Sequence, residues 1–535
     1  MSPSRRAQRA PLGLSAAAAV VGVAFAFPAL YLVWRNITSD TDPLGVLFSA
    51  RTMQPLQRSL VLAVLVSVTT SVIGTALALV TTRTDLPGAR LFRILLPLPL
   101  VYPTFVGAAA FIRTLSPGGI ASDGLATLSL SDSYELRGLF GAWLVLTLFT
   151  YPYVYLPVAA RLRSLPGSLE EAARLLGDSS WTAFRRVVLP QIATAISTGT
   201  LLVFLYAVSD FGAVQLMRYD TLTRAIWTTR LNNQQISLAL SLVLLVLAAA
   251  SVAGERLVAR RFVSPARTQV GHALQLPLGR WRVPSVAGVT LVVLFALVAP
   301  VVALGDWAVT GISRDRSGDQ TLFLSASDLV EPTVNTAYAS ALAAVGAVLA
   351  VLPVAFLVGR YRSRTGEVAN SIVISTFALP GLLVALAVFF WTGEFAWTRS
   401  NLRDTVGLLV FAYVVRFGAQ AMGSALVATS AVPPRLSDAA QMLGAGRWRR
   451  LATIELPLMA PGLLAGAGLV LLSTMKELPI TLFVAPFEFP TLTTMTFNNF
   501  EDAFIAEAGI TSLVLVALSA VLTWLLVIRR ADHLS

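Results

Sequence analysis

Few side chains in this chain could do covalent or metal chemistry, and that scarcity narrows its function at once. Cysteine is absent and only two histidines occur, His272 and His533. Disulfides, thiolate metal sites and a cysteine nucleophile are therefore excluded. The single lysine, Lys476, follows Met475 rather than glycine, so the chain has no P-loop. What remains is a set of ionisable residues that repeat. Asp210 and Glu477 stand 267 positions apart, half of the 535-residue chain, with Lys476 beside the second. Both acids fall at the ends of apolar stretches, where an ionisable group is costly unless paired or facing water. Carboxylates on either side of an outer mouth would attract a hard cation, which prefers oxygen ligands, and would have to bind it loosely enough to let it go. The alternative is that Lys476 snorkels to the outer interface and the acids are ordinary loop residues.

The same spacing relates two longer signatures. Glu171-Ala172-Ala173, Gly177 and Leu189-Pro190 answer to Asp438-Ala439-Ala440, Gly444 and Leu456-Pro457, and Leu176 and Trp181 are matched by Leu443 and Trp448. A repeat at half the chain length means two homologous halves and a task needed twice. Ser168 and Glu171 fit a capping box, which predicts a short helix beginning there. In the second copy position 435 is arginine, which leaves Asp438 to stabilise the helix start through the dipole. The alanines keep one face small enough for close approach by another surface, and Gly177 permits the left-handed conformation that ends a helix. Trp181, Phe184 and Val187 recur every three residues and give a second segment an apolar edge. The expected product is a helix–turn–helix elbow. One copy alone would read as an amphipathic interfacial loop; two at fixed spacing call for a shared partner.

The elements that carry these residues are membrane spans. Apolar residues make up 56% of the chain and charged residues 13%, with a mean hydropathy of +0.74, which a soluble surface would not tolerate. Stretches long enough to cross about 30 Å of hydrocarbon lie near 12–34, 59–82, 94–112, 138–160, 191–212 and 236–255, then 284–305, 334–358, 368–392, 406–428, 458–476 and 507–528. The fold class is thus an all-α polytopic membrane protein of two homologous six-helix halves, about 12 transmembrane helices in all. With the amino terminus inside, the inner segments carry 26 arginines and the outer ones 12. This asymmetry places both termini and both elbows in the cytoplasm. The net charge of +12 is therefore topological and does not indicate nucleic acid. The first half is 1–262 with its signature at 168–190, a basic linker occupies 263–283, and the second half is 284–535 with its signature at 435–457. Arg83 matches Arg360 and Pro103 matches Pro380 at an offset of 277, so the register shifts by ten between the early spans and the elbows.

The pattern E-A-A, three residues, G, nine residues, hydrophobic-x-L-P resembles the EAA loop of the permease subunits of ATP-binding-cassette importers. The resemblance covers both halves and implies a type I importer permease-like fold with no enzymatic activity of its own. It implies that Glu171, Ala172, Ala173 and Gly177, and Asp438, Ala439, Ala440 and Gly444, dock two copies of a separate ATP-binding subunit. An extracytoplasmic binding protein would deliver the substrate, and lipid would surround the spans. No cofactor would be bound by this chain, since ATP and Mg are used by the partner subunits. Ser209-Asp210-Phe211-Gly212 and Lys476-Glu477-Leu478-Pro479 resemble segments of ferric-iron importer permeases, with fused thiamine permeases the nearest competitor. An ion-coupled secondary transporter, which can also contain repeats, is the alternative from another class. Such transporters place ionisable residues at the midplane, whereas Asp210, Lys476 and Glu477 come about 20 residues after each elbow, roughly 30 Å up a helix.

Overall fold

The computed structural model describes residues 10–38, 45, 49–115, 136–230, 232–262, 275–317, 322–361, 363–523 and 525. Both histidines and linker residues 263–274 lie outside them. Regular structure among the described residues is helical, apart from one isolated bridge between Thr84 and Leu276. Among the described residues ten helices are long and apolar enough to cross a membrane, from Leu12–Thr38 to Ile505–Thr523. Two further apolar pairs, Ala89–Val101 with Thr104–Leu115 and Arg364–Ala378 with Gly381–Glu394, bend by 97° and 107° at their breaks. Counting each pair as one span makes twelve.

The spans expected at 94–112 and 368–392 are therefore broken rather than straight. Pro103 and Pro380 sit at the breaks, and the residues before them, Tyr102 and Leu379, are extended with ψ of 132° and 122°. Proline has no N–H to donate, and its ring drives the preceding residue out of the helical region.

Two compact units form, and they cross the midpoint of the sequence. One joins the first helix, Leu12–Thr38, to Leu324–Asn498; the other is built from Asp40–Phe323 and takes in Asn499–Leu513. In the first unit Leu12–Thr38 packs on Arg364–Ser375, Val330–Phe356 and Gly381–Glu394. Arg35 and Tyr31 both reach Glu394, at 2.9 and 3.1 Å. Helices Val406–Ser430 and Leu456–Thr474 approach closely because Gly462 and Gly466 face Ala428 and Ser424, the small-residue spacing that lets membrane helices gain dispersion contact where lipid gives no hydrophobic drive. In the second unit Gly74 and Gly199 play the same part, both against the backbone around Val154. Here Ala299–Ser317, from the second half of the sequence, packs on Thr104–Leu115.

Candidate functional site: two elbows and two matched acids

The first elbow opens with the helix Ser168–Leu175. Gly177 follows at φ +99°, the Asp178 amide donates to the Ala173 carbonyl at 3.1 Å, and the Gly177 amide donates to Arg174 at 3.0 Å. That is the hydrogen-bond pattern of a Schellman motif. The second elbow repeats it: Pro434–Met442 ends at Gly444, φ +77°, with Ala445 donating to Ala440 at 2.9 Å and Gly444 to Gln441 at 3.0 Å. Both glycines thus stand where a β-branched side chain would be strained.

Helix starts differ from the expectation. The capping box does not form: the N-cap is Gly167, without a side-chain bond, and its carbonyl takes the amides of Glu170 and Glu171. Ser168 already lies in the helix, one residue too late to cap. The side-chain cap belongs instead to the second arm, where Ser179 accepts the Thr182 amide at 3.3 Å. Nor does Asp438 act on the dipole of its helix. That helix begins at Pro434, so Asp438 is beyond its first turn, where a charge has little effect.

Beyond the turn each elbow runs without interruption into the next span, Ser180–Ser209 and Trp448–Thr474. Each arm widens into one π turn, Phe184–Val188 and Leu451–Glu455, immediately before Leu189-Pro190 and Leu456-Pro457. A proline clashes with the carbonyl four residues back, and a widened turn relieves that clash.

Glu171 and Ala172 are exposed and Ala173 is half-buried; Asp438 and Ala439 are exposed and Ala440 is buried. Around them each elbow bares large apolar side chains, the three most exposed being Leu175, Leu176 and Trp181 at 89%, 89% and 69% in the first, and Met442, Leu443 and Trp448 at 83%, 88% and 81% in the second. These trios match at the 267-residue offset. Trp181 stacks on Phe184, with ring centroids 5.6 Å apart. Exposed apolar clusters rimmed by charge mark interaction surfaces. The repeat of Leu176 and Trp181 was legible in the sequence; Leu175 with Met442 could have been found by allowing similar rather than identical residues.

At the far end of those arms, Asp210 follows Ser209 and Glu477 follows the end of the second arm at Thr474. Asp210 is buried. Its Oδ2 accepts the Thr104 hydroxyl at 2.6 Å, and its Oδ1 accepts the amides of Ala213 and Val214 at 3.0 and 3.3 Å, so it caps the short helix Gly212–Leu216. Glu477 and Lys476 are half-buried. The Glu477 carboxylate accepts the Ile480 amide at 3.5 Å and fills the space beside Gly381, where a Cβ would collide with it. Thr104 and Gly381 correspond at the 277 offset: a short acid meets threonine in one half, a long acid meets glycine in the other.

A further repeat escaped sequence reasoning. Thr221-Leu222-Thr223 and Thr491-Leu492-Thr493 lie 270 apart. Thr223 donates to the Asp210 carbonyl at 2.7 Å and Thr493 to the Met475 carbonyl at 2.7 Å. The Leu222 amide donates to Ser59 Oγ at 2.8 Å and the Leu492 amide to Thr336 Oγ1 at 2.9 Å. Ser59 and Thr336 are themselves 277 apart. A search for short tripeptides would have found the signal.

The elbows and the acid sites are each built twice, as a duplicated fold requires. Residues 43–264 and 351–531 match the family described as binding-protein-dependent transport system inner membrane component. The chain belongs to that family. This permease is therefore a membrane-embedded transport subunit rather than an enzyme, and a multi-pass membrane protein. It is 28% identical to the Fe(3+)-transport system permease protein FbpB 2 of Haemophilus influenzae, over 97% of this chain and 98% of that one. It is 26% identical to the probable ABC transporter permease protein y4fN of Sinorhizobium fredii, over 78% and 77%. Likeness to the sulfate transport system permease protein CysT of Escherichia coli, at 31%, covers 29% of this permease and 55% of that chain.

Proposed function

We propose that this permease forms the translocation path of a ferric-iron importer, with alternating access driven by separate ATP-binding subunits and substrate delivered by an extracytoplasmic binding protein. The observation that supports iron is the extent of likeness to the ferric-iron permease of Haemophilus influenzae. It runs through both halves of both chains, whereas the likeness to the sulfate permease takes in less than a third of this one.

In this reading Glu171, Ala172, Ala173 and Gly177, with Asp438, Ala439, Ala440 and Gly444, are the docking surfaces for two ATP-binding subunits. The apolar trios beside them supply the area such a contact needs, and the two acids supply charge at its rim. Asp210, Lys476 and Glu477 serve the path. Asp210, whose carboxylate already accepts three hydrogen bonds, holds its helix break open, and half-buried Glu477 with Lys476 shapes the field near the passage.

The test is uptake into proteoliposomes holding the permease, its ATP-binding subunits and its binding protein. ATP-dependent accumulation of radioactive ferric iron is expected, and Glu171→Lys combined with Asp438→Lys should abolish it while the variant still accumulates in the membrane. Uptake of thiamine, sulfate or molybdate in place of iron would refute the cargo. Wild-type uptake by the double variant would refute the docking surfaces.

A further inference from the structure

Each elbow is tied to the cytoplasmic end of an earlier span by an ion pair, buried in the first half and partly buried in the second, and the two ties use acids from different places. Arg83 ends the span Ala50–Arg83, and Arg360 lies in the last turn of Ser327–Tyr361; the two arginines match at the 277 offset. Arg83 pairs with Glu170, which lies in the docking helix Ser168–Leu175, and both side chains are almost wholly buried, at 4% and 3% exposure. Glu170 also accepts Arg174 at 3.2 Å. Arg360 pairs with Glu455 at 2.5 Å. Glu455 is not in the docking helix Pro434–Met442 but in the π turn behind it.

By the 267 register Glu170 answers to Ser437 and Glu455 answers to Val188. Neither acid has a counterpart at its own position, yet each meets the matching arginine. Desolvating an ion pair is expensive and gives stability no obvious advantage over apolar packing, so its presence in both halves, built from unrelated positions, calls for a task beyond folding. The first tie has a reinforcement. At the same span end the Leu276 amide donates to the Arg83 carbonyl and the Leu278 amide to the Asp85 carboxylate, each at 2.8 Å, so the far end of the inter-half linker is pinned beside the latch.

We propose that Arg83 with Glu170, and Arg360 with Glu455, are positioning pairs that transmit movement between the elbows and the spans. The first grips the docking helix itself and the second grips the arm behind it. The inference rests on the docking reading above. It makes the two elbows mechanically unequal: the first docking helix moves with its span as one body, while the second is tied through its following arm.

The experiment uses the assembled transporter in lipid nanodiscs and compares wild type with Glu170→Gln and Glu455→Gln. Amide hydrogen exchange of the elbows is measured together with the ratio of ATP hydrolysis stimulated by loaded binding protein to basal hydrolysis. Glu170→Gln should speed exchange in Ser168–Leu175 by roughly tenfold or more and lower the ratio, with ATP-binding subunits still retained. Glu455→Gln should speed exchange in Leu451–Glu455 and leave Ser168–Leu175 protected. Arg83→Glu with Glu170→Arg should recover part of both losses, and it also serves if the single variant fails to accumulate. A wild-type ratio in Glu170→Gln despite lost protection overturns the transmission role; unchanged protection overturns the latch. Wild-type permease that retains no ATP-binding subunit would instead overturn the docking reading beneath both.

Discussion

The contrast between Asp210 with Thr104 and Glu477 with Gly381 can be tested by exchange. Gly381→Thr in the second half introduces a Cβ where the Glu477 carboxylate lies. Overpacking of this kind costs about 1–3 kcal/mol, and the lower part of that range is expected because the obstacle is the end of a side chain. Glu477→Asp alone withdraws the carboxylate by one methylene and leaves a gap beside Gly381, worth about 1 kcal/mol. Together the two changes recreate the first half, where the Thr104 hydroxyl donates to Asp210 at 2.6 Å. The gap is then filled and a hydrogen bond to a charged acceptor is gained, itself worth about 1.5–3 kcal/mol. The double variant should therefore stand near wild type, and the cycle should give a favourable coupling of about 2–3 kcal/mol. Thermal unfolding in detergent reads this directly, at roughly 2–4 °C per kcal/mol for a unit of this size. Gly381→Thr should unfold several degrees early and the double variant should not. Additive losses would refute the claim that the acids and their partners are interchangeable solutions to one packing problem.

Two further outcomes follow from the repeat. Gly177→Val and Gly444→Val place a β-branched residue at φ +99° and +77°, a strain of about 1–3 kcal/mol; co-purification should show loss of the ATP-binding subunits while the permease itself still accumulates. Ser59→Ala strands the Leu222 amide and Thr336→Ala strands that of Leu492; each should cost about 1–3 kcal/mol in thermal unfolding, and the losses should add because the two sites share no partner.

Sequence reasoning located the elbows but misjudged how they are fastened. It singled out Glu171 because that acid repeats at Asp438, and gave it a capping role from its place three residues after Ser168. Glu171 faces solvent, and its neighbour Glu170 is the acid that turns inward. The choice between adjacent glutamates depends on Arg83, 87 positions away, which local pattern cannot reach. Glu455 escaped for a related reason: it has no counterpart at position 188, so a search for matched residues passes over it. Pro103 and Pro380 were recognised as matched, but proline signals only that a helix is interrupted; the bends of 97° and 107° are set by what packs on either side.

What the sequence determined by itself was the membrane class, the order of the spans and the duplication, and it set an expectation for the side of each loop. These follow from composition, from the count of arginines on alternate loops and from a fixed offset, none of which depends on how helices pack. Tertiary structure decided that the first helix, Leu12–Thr38, joins the unit of Leu324–Asn498, that Asp210 is a cap fully engaged by Thr104 and two amides, and that two unlike glutamates hold two like arginines. Each of these is a choice among chemically equivalent partners far apart in the chain. In lipid the hydrophobic effect does not discriminate between one apolar helix and another, so close fit at small residues and the satisfaction of each buried polar group make the choice.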